Sequence, residues 1–277
     1  MPATPNQVSS KELAAGLQAL DIPPAAPVLA HASLSAFGRV QGGAATVVEA
    51  LLDAFVTLVM PVFTYKAMLV PEVGPVDNAI TYGSAKGANR MADFFRPEMP
   101  ADRMMGVVAE ALRCHPEAQR STHPILSFAG VNADTILESQ TLAQPLAPVG
   151  SLAAQGGWVL LLGVDHTCNT SIHYAERLAG RKQFIRWALT PRGVVECPNW
   201  PGCSDGFEAI APRLVGVTHR AQIGQAHIQA VPLVDLVEIV RACIAEDPLA
   251  LLCERASCQR CQATRIRVVR NAPRTVP

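Results

Sequence analysis

Apolar positions along the chain fall into two alternating patterns. Short apolar runs at 27–30 (PVLA) and 56–63 (VTLVMPVF) read as strands, with Pro61 confined to an edge, a bulge or the strand's end. The run 156–164, GGWVLLLGV, is apolar without alternation and predicts a strand buried on both faces. Helical periodicity occupies 44–55 (AATVVEALLDAF), a stretch capped by Asp102 that runs to about Cys114, a segment opening at Asn169 or Thr170, and 232–246, which has Pro at its first position and Asp-Pro at its end. The segment 120–130 turns at a His-Pro pair into a short strand ending at Gly130, and the chain beyond Arg192 reads as a Pro/Gly/Cys-rich loop and a short helix over 207–214. This alternation predicts an α/β fold. Between 65 and 100 the pattern dissolves into Gly, Pro, Asn and Asp, the composition of a surface excursion that builds a substrate site. The tail after Cys261, with four arginines and two prolines, is expected to fray.

A length of 277 residues suits one domain over 1–277, with 65–100 and 253–277 as elaborations. The chain is 49% hydrophobic and 17% charged, yet no apolar run reaches the roughly 18 residues that span a bilayer. With no export signal in MPATPNQVSSKEL, a cytoplasmic protein with reduced thiols is expected. Its 23 basic and 23 acidic residues balance, so no long-range field favours nucleic acid or a membrane surface. Cys253, Cys258 and Cys261 are spaced C-x4-C-x2-C. They read first as packing cysteines, with no metal required, and second as part of a zinc site whose fourth ligand is Cys243 or an outside residue.

Candidate chemistry gathers in three places. GVDHTCNTSIHYAERLAG follows the most apolar strand, where ligands of open α/β folds bind. On its helix Ile172, Ala175 and Ala179 form a core stripe, while His173 and Glu176 share another face. An imidazole, with an ordinary pKa of ~6.5, can take a proton from an amine, and a carboxylate beside it can orient it. The competing reading is an exposed helical pair. A di-metal site would need a second such motif, and none is seen. The second place is HASLSAFGRVQGG, where a strand ending at His31 leads through Gly42-Gly43 to a helix start that reads equally as a phosphate site and as a structural turn. It is neither a Walker A sequence nor G-x-G-x-x-G. The third is RSTHPILSF, which on its own reads first as a solvated loop and second as a place where Arg120 and nearby hydroxyls hold pyrophosphate or phosphopantetheine.

Taken in order, HASLSAFGRVQGGAATVVEALL, TLVMPVFTY, FRPEMPADRMMGVVAEALR, RSTHPILSF, PLAPVGSLAAQGGWVLLLGV, NTSIHYAE and GCSDGFEAI resemble the aminoglycoside 3-N-acetyltransferase, or antibiotic N-acetyltransferase, family over 30–214. The resemblance implies a three-layer α/β/α sandwich around a mixed, largely parallel sheet. It also implies acetyl transfer from acetyl-CoA to an amine, that of an aminoglycoside or, alternatively, of another biosynthetic acceptor. His173 becomes the general base of a direct attack, with Glu176 and Thr170 beside it. The coenzyme groove would be lined by His31, Ser33, Leu34, Ser35, Phe37, Gly38 and Val40 and by Arg120, Ser121, His123, Pro124, Ser127 and Phe128. Tyr65, Glu176, Asp205 and Glu208 would meet the acceptor, the three carboxylates making a locally acidic cleft in a neutral chain, and a homodimer is compatible with the family. The turn before TLVMP, DAFV, is shorter than the family's usual one.

Overall fold

The computed structural model describes residues 7–271. Among the described residues the strands are β1 (Val28–Ala32), β2 (Leu58–Pro61), β3 (Met68–Leu69), β4 (Gln119–Arg120), β5 (Phe128–Val131), β6 (Trp158–Leu162), β7 (Phe184–Thr190), β8 (Gly193–Trp200), β9 (His219–Ile223) and β10 (Ala226–Pro232). The α-helices are α1 (Ser10–Gln18), α2 (Gly43–Ala54), α3 (Lys86–Asn89), α4 (Gly106–Arg113), α5 (Asp134–Glu138), α6 (Ala147–Ala154), α7 (Thr170–Leu178), α8 (Ala211–Leu214), α9 (Leu233–Glu246) and α10 (Gln259–Asn271). Among the described residues no helix is long and apolar enough to cross a membrane.

Seven strands form one sheet in the order β4-β5-β2-β1-β6-β10-β9. β1 runs parallel to β2 and β6, but the pairings β2–β5, β5–β4, β6–β10 and β10–β9 are antiparallel. The sheet is therefore mixed and mainly antiparallel, not largely parallel. At the two edges β4–β5 and β9–β10 are joined by short loops, the latter at Gly224, whereas β2 reaches β5 and β6 reaches β10 only after long excursions that carry helices and the second sheet. Pro61 ends β2, which lies between two partners, so its missing N–H falls past the ladder.

Strand side chains alternate between two cores. Leu29, Val59, Val159 and Leu161 pack with Val149 and Leu152 of α6, Ile172 and Ala175 of α7, and Leu236 and Val240 of α9. Val28, Ala30, Leu58, Met60, Leu160 and Leu162 pack with Leu13 and Leu17 of α1, Val47 and Leu51 of α2, and Val108 and Leu112 of α4. Burial from both sides is why β6 has no charged residue.

A second sheet, β3-β7-β8, stands apart. The expected loop beyond Arg192 is strand β8, paired to β7 across Thr190–Gly193. Cys197 points into the core while Glu196 and Val194 stay exposed, an alternation hidden by the Pro and Cys content. The segment 65–100 reaches the ligand side through Tyr65 and does not otherwise wrap it. It leans on this second sheet, with the Asn78 amide bonded to both the N–H and the C=O of Ile185, and Asn89 bonded in the same way to Val70. The chain after Cys261 is helix α10 through Asn271, not a frayed tail; 272–277 lie outside the described residues.

Candidate active site

A cavity of about 890 Å³ opens at the carboxyl ends of the three parallel strands, bordered by His31 and Ala32 at the end of β1, Met60 and Pro61 of β2, and Val164 after β6. The turn out of β6 is tight: Gly163 has φ +69°, and a Cβ there would collide with that of Ala36. Asp165 and Asn169 then cap successive helical turns by accepting from the N–H groups of Thr167 and Ser171. Asn169, rather than Thr170, is the cap of α7, and Thr170 borders the cavity from its first turn.

One turn on, His173 Nδ1 lies 2.9 Å from Glu176 Oε2. A carboxylate only accepts, so Nδ1 carries the hydrogen and Nε2 is left as the basic nitrogen. The pair is not an exposed helical pair, for His173 is 9% and Glu176 1% exposed. The Phe207 ring meets the imidazole edge-on at 4.7 Å. Behind Glu176, Arg181 Nη1 sits 3.5 Å from Oε1, an ion-pair distance in a fully enclosed setting. Burial draws the Arg181 guanidinium below its ordinary range and Glu176 opposes that shift. His173 borders the cavity; Glu176 does not, so it backs the histidine instead of meeting a substrate.

Of the groove residues expected after β1, His31, Ser33, Leu34, Ser35, Gly38 and Val40 line the cavity, whereas Phe37 turns into the core under α1 and α2. The Ser33 and Ser35 hydroxyls are 3.1 Å apart. Burial pulls His31 down to about 3, and its enclosed Nε2 has no protein partner. Gly43, at the start of α2, and Arg39 border the same space.

The 120–128 loop behaves differently from expectation. Arg120, Ser121, His123, Pro124, Ser127 and Phe128 do not line the cavity, and from this loop only Leu126 does. The Arg120 fork donates to Ser127 Oγ, the carbonyls of Pro97, Met99 and Val62, and Thr64 Oγ1, which occupies its five N–H groups. His123 Nδ1 accepts from the N–H groups of Ile125 and Leu126. Desolvation pushes the ring down to about 4. The Ser121 hydroxyl accepts from Phe128 N–H, and Phe128 packs in the core. The bonds of Arg120, Ser121 and His123 Nδ1 fold a loop, and the enclosed His123 Nε2 is left without a protein partner.

Among the acceptor candidates, Tyr65 and Asp205 reach the cavity and Glu208 does not. Burial, with Asp102 nearby, pushes the Tyr65 phenol up to about 12. Glu208 instead accepts from His166 N–H at 2.8 Å. Asp205 is paired with Arg255, and Arg260 stands on the same wall, so the acidic cleft expected from three carboxylates is absent among the described residues. Sequence reasoning missed the wall made by Met104, Met105, Gly106 and Val107 at the start of α4, and that of Trp200, Pro201, Gly202 and Arg260. The apolar run Met104-Met105-Gly106-Val107 was the available signal, and in the structure Met104 and Val107 stand 80% and 58% exposed at the helix start.

A family model described as aminoglycoside 3-N-acetyltransferase matches residues 29–245. The chain is 35% identical over 176 residues to the SPbeta prophage-derived aminoglycoside N(3')-acetyltransferase-like protein YokD of Bacillus subtilis, spanning 58% of this chain and 61% of that one. It is 30% identical over 236 residues to aminoglycoside N(3)-acetyltransferase III of Serratia marcescens, spanning 74% and 84%. The crystal structure of aminoglycoside acetyltransferase AAC(3)-IVa superposes with a TM-score of 0.77 at 26% identity, covering 95% of this chain and 99% of that one. A histidine-to-alanine mutant of that enzyme, in complex with a gentamicin, superposes with a TM-score of 0.77 at 25% identity and the same coverage.

Proposed function

We propose, from the premise that this chain belongs to the aminoglycoside 3-N-acetyltransferase family, that it transfers an acetyl group from acetyl-CoA to the 3-amino group of an aminoglycoside, with His173 as general base. The observation that carries the reading is the buried Arg181–Glu176–His173 relay ending at a cavity wall. Acetyl-CoA would supply the thioester carbonyl. Room for it exists beside Ser33, Ser35 and Gly38, and the start of α2 with Arg39 offers N–H groups and a cation to its phosphates. His31, whose enclosed Nε2 has no protein partner, belongs to the same wall.

The amine nitrogen attacks the carbonyl carbon, a C–N bond forms, and the C–S bond breaks. His173 Nε2 takes the proton that nitrogen loses and passes it to the departing thiolate. Glu176 keeps the ring in the tautomer that can do this and balances the imidazolium while it lasts. Thr170, Ser33 and Ser35 are the hydroxyl donors available to the carbonyl oxygen, a contribution of about 3 kcal/mol where a donor is well aimed. The two cores on either face of the sheet fit the three-layer description, the chain works as one domain over 1–277, and the setting is cytoplasmic, where acetyl-CoA is made available.

The test is thiol release from acetyl-CoA with an aminoglycoside present. His173→Ala should lower turnover by about 10²- to 10⁴-fold while coenzyme still raises the melting temperature. Full activity in that variant would end the reading. One observation favours a second acceptor class. Asp205 is the carboxylate on the cavity wall, and that wall also carries Arg260 and Arg39, so a less cationic amine is accommodated as well as a polycation. An amine panel separates the two by kcat/KM.

A further inference from the structure

Away from the relay, the sulfurs of Cys203, Cys253, Cys258 and Cys261 converge within 4.8 Å of one another. We propose that they form a structural zinc site that clasps the C-terminal segment to the wall of the cavity. Zinc in four-thiolate sites sits about 2.3 Å from each sulfur, which sets the sulfurs roughly 3.8 Å apart. The observed cluster needs a contraction of about 1 Å at most to reach that tetrahedron.

Packing does not account for the convergence. Cys197 and Cys243 are packing cysteines, each sunk in the large core among aliphatic and aromatic neighbours. The other four stand outside both cores, in a cluster whose remaining apolar member is Leu252. So small a group has little area to remove from water, yet Cys203, Cys253 and Cys261 are 3% exposed or less. The fourth ligand is Cys203, not Cys243. It lies 50 positions before Cys253, beyond the reach of local spacing. Cys258 precedes α10 and Cys261 falls in its first turn, so the C-x2-C pair is presented toward one side.

The surroundings carry the charge such a site requires. Four thiolates around a divalent ion leave two net negative charges, and three arginines meet them. Arg255 Nη2 lies 4.0 Å from Cys203 Sγ, Arg265 Nη2 donates to the Cys253 carbonyl at 2.6 Å, and Arg260 Nη1 donates to the Gly202 carbonyl at 2.7 Å. The consequence reaches the active site. Gly202, Ser204 and Asp205 flank Cys203, and Arg260 precedes Cys261, so an ion joining these cysteines fixes four members of the cavity wall.

The experiment uses the full chain, purified under reducing conditions without chelator. Elemental analysis should find one zinc per chain, and a mercurial thiol reagent should release it to a chromogenic chelator. Replacement by Co(II) should give the intense visible bands of tetrahedral cobalt with thiolate-to-metal charge transfer in the near ultraviolet. Cys258→Ser should retain less than about one tenth of the zinc after a dialysis against chelator that leaves the parent loaded, whereas Cys243→Ser should keep it. Reduced protein that takes up no zinc from a Zn(II) buffer, iron in its place, disulfides among these four cysteines, or full zinc retention by Cys258→Ser would each overturn the site. If the variants fail to fold, the cobalt spectrum of the parent decides. None of these readouts depends on acetyl transfer, so the zinc site and the transferase reading fail separately.

Discussion

At the scale of single residues the structure assigns Glu176 two jobs, and they can be pulled apart. Glu176→Gln keeps an oxygen that can accept from His173 Nδ1, but it removes the charge facing Arg181, whose side chain is 2% exposed. A buried cation stripped of its partner costs about 3 to 5 kcal/mol. The variant should therefore melt well below the parent and lose on the order of 10²-fold in kcat with little change in KM. Adding Arg181→Met should restore most of the melting temperature without restoring kcat. Recovery of both would reduce Glu176 to a packing role. The His173–Glu176 pair was legible in the sequence because a spacing of three on a helix is a local rule. Arg181 and Phe207 were not, since they reach the pair from beyond α7 and from the turn before α8. The same limit misplaced Glu176 in the acceptor pocket, because periodicity names a face without naming what covers it.

Elements are joined here by polar clamps as much as by apolar contact, and Arg120 is the strongest of them. Its guanidinium bridges β2's exit at Val62 and Thr64, the 97–99 stretch and Ser127, while lying 5.5 Å from the centre of the Phe95 ring. Burial brings the group down to about 10, so it stays charged at neutral pH. Arg120→Met should leave several enclosed acceptors unpaired, at about 1 to 3 kcal/mol each. We expect a fall in stability of several kcal/mol in urea titrations, with limited proteolysis cutting first between 65 and 100. An unchanged cleavage pattern would refute the clamp. The arginine, the hydroxyls and the histidine of this loop looked like ligand donors because their types are those of phosphate sites. Their partners are carbonyls far along the chain, and no spacing rule reports those. Strong apolar runs were legible at β1, β2 and β6 and in α2 and α9. The β7–β8 hairpin was lost because Pro198 and Cys197 disguise its alternation, and α10 because arginine-rich composition suggested a frayed end.

For the whole molecule, the apolar interior that makes the sheet hard to read for strand direction also makes the fold sensitive to acid. Continuous burial says that a strand is central, not which way its neighbours run, so the antiparallel flanks were invisible while the central α/β character was plain. The same enclosure holds His31 and His123 neutral, pulled down to about 3 and about 4 by desolvation. In the unfolded chain both titrate near ~6.5. Above that pH neither state binds the proton and the rings contribute nothing. Below it the unfolded chain takes up protons that the folded one refuses, so stability falls as pH drops through the window from about 6.5 toward about 4. At pH 5 the penalty is on the order of 2 kcal/mol for each ring, at a pH where ordinary carboxylates are still ionised. Urea denaturation at pH 7 and pH 5 should show that loss. In His123→Asn, whose side-chain oxygen can still accept from the Ile125 and Leu126 N–H groups, the slope should shrink by about a third to a half, with His31 and His166, which burial also draws down, carrying the rest. An undiminished slope in the variant would place the acid sensitivity elsewhere than in these buried rings.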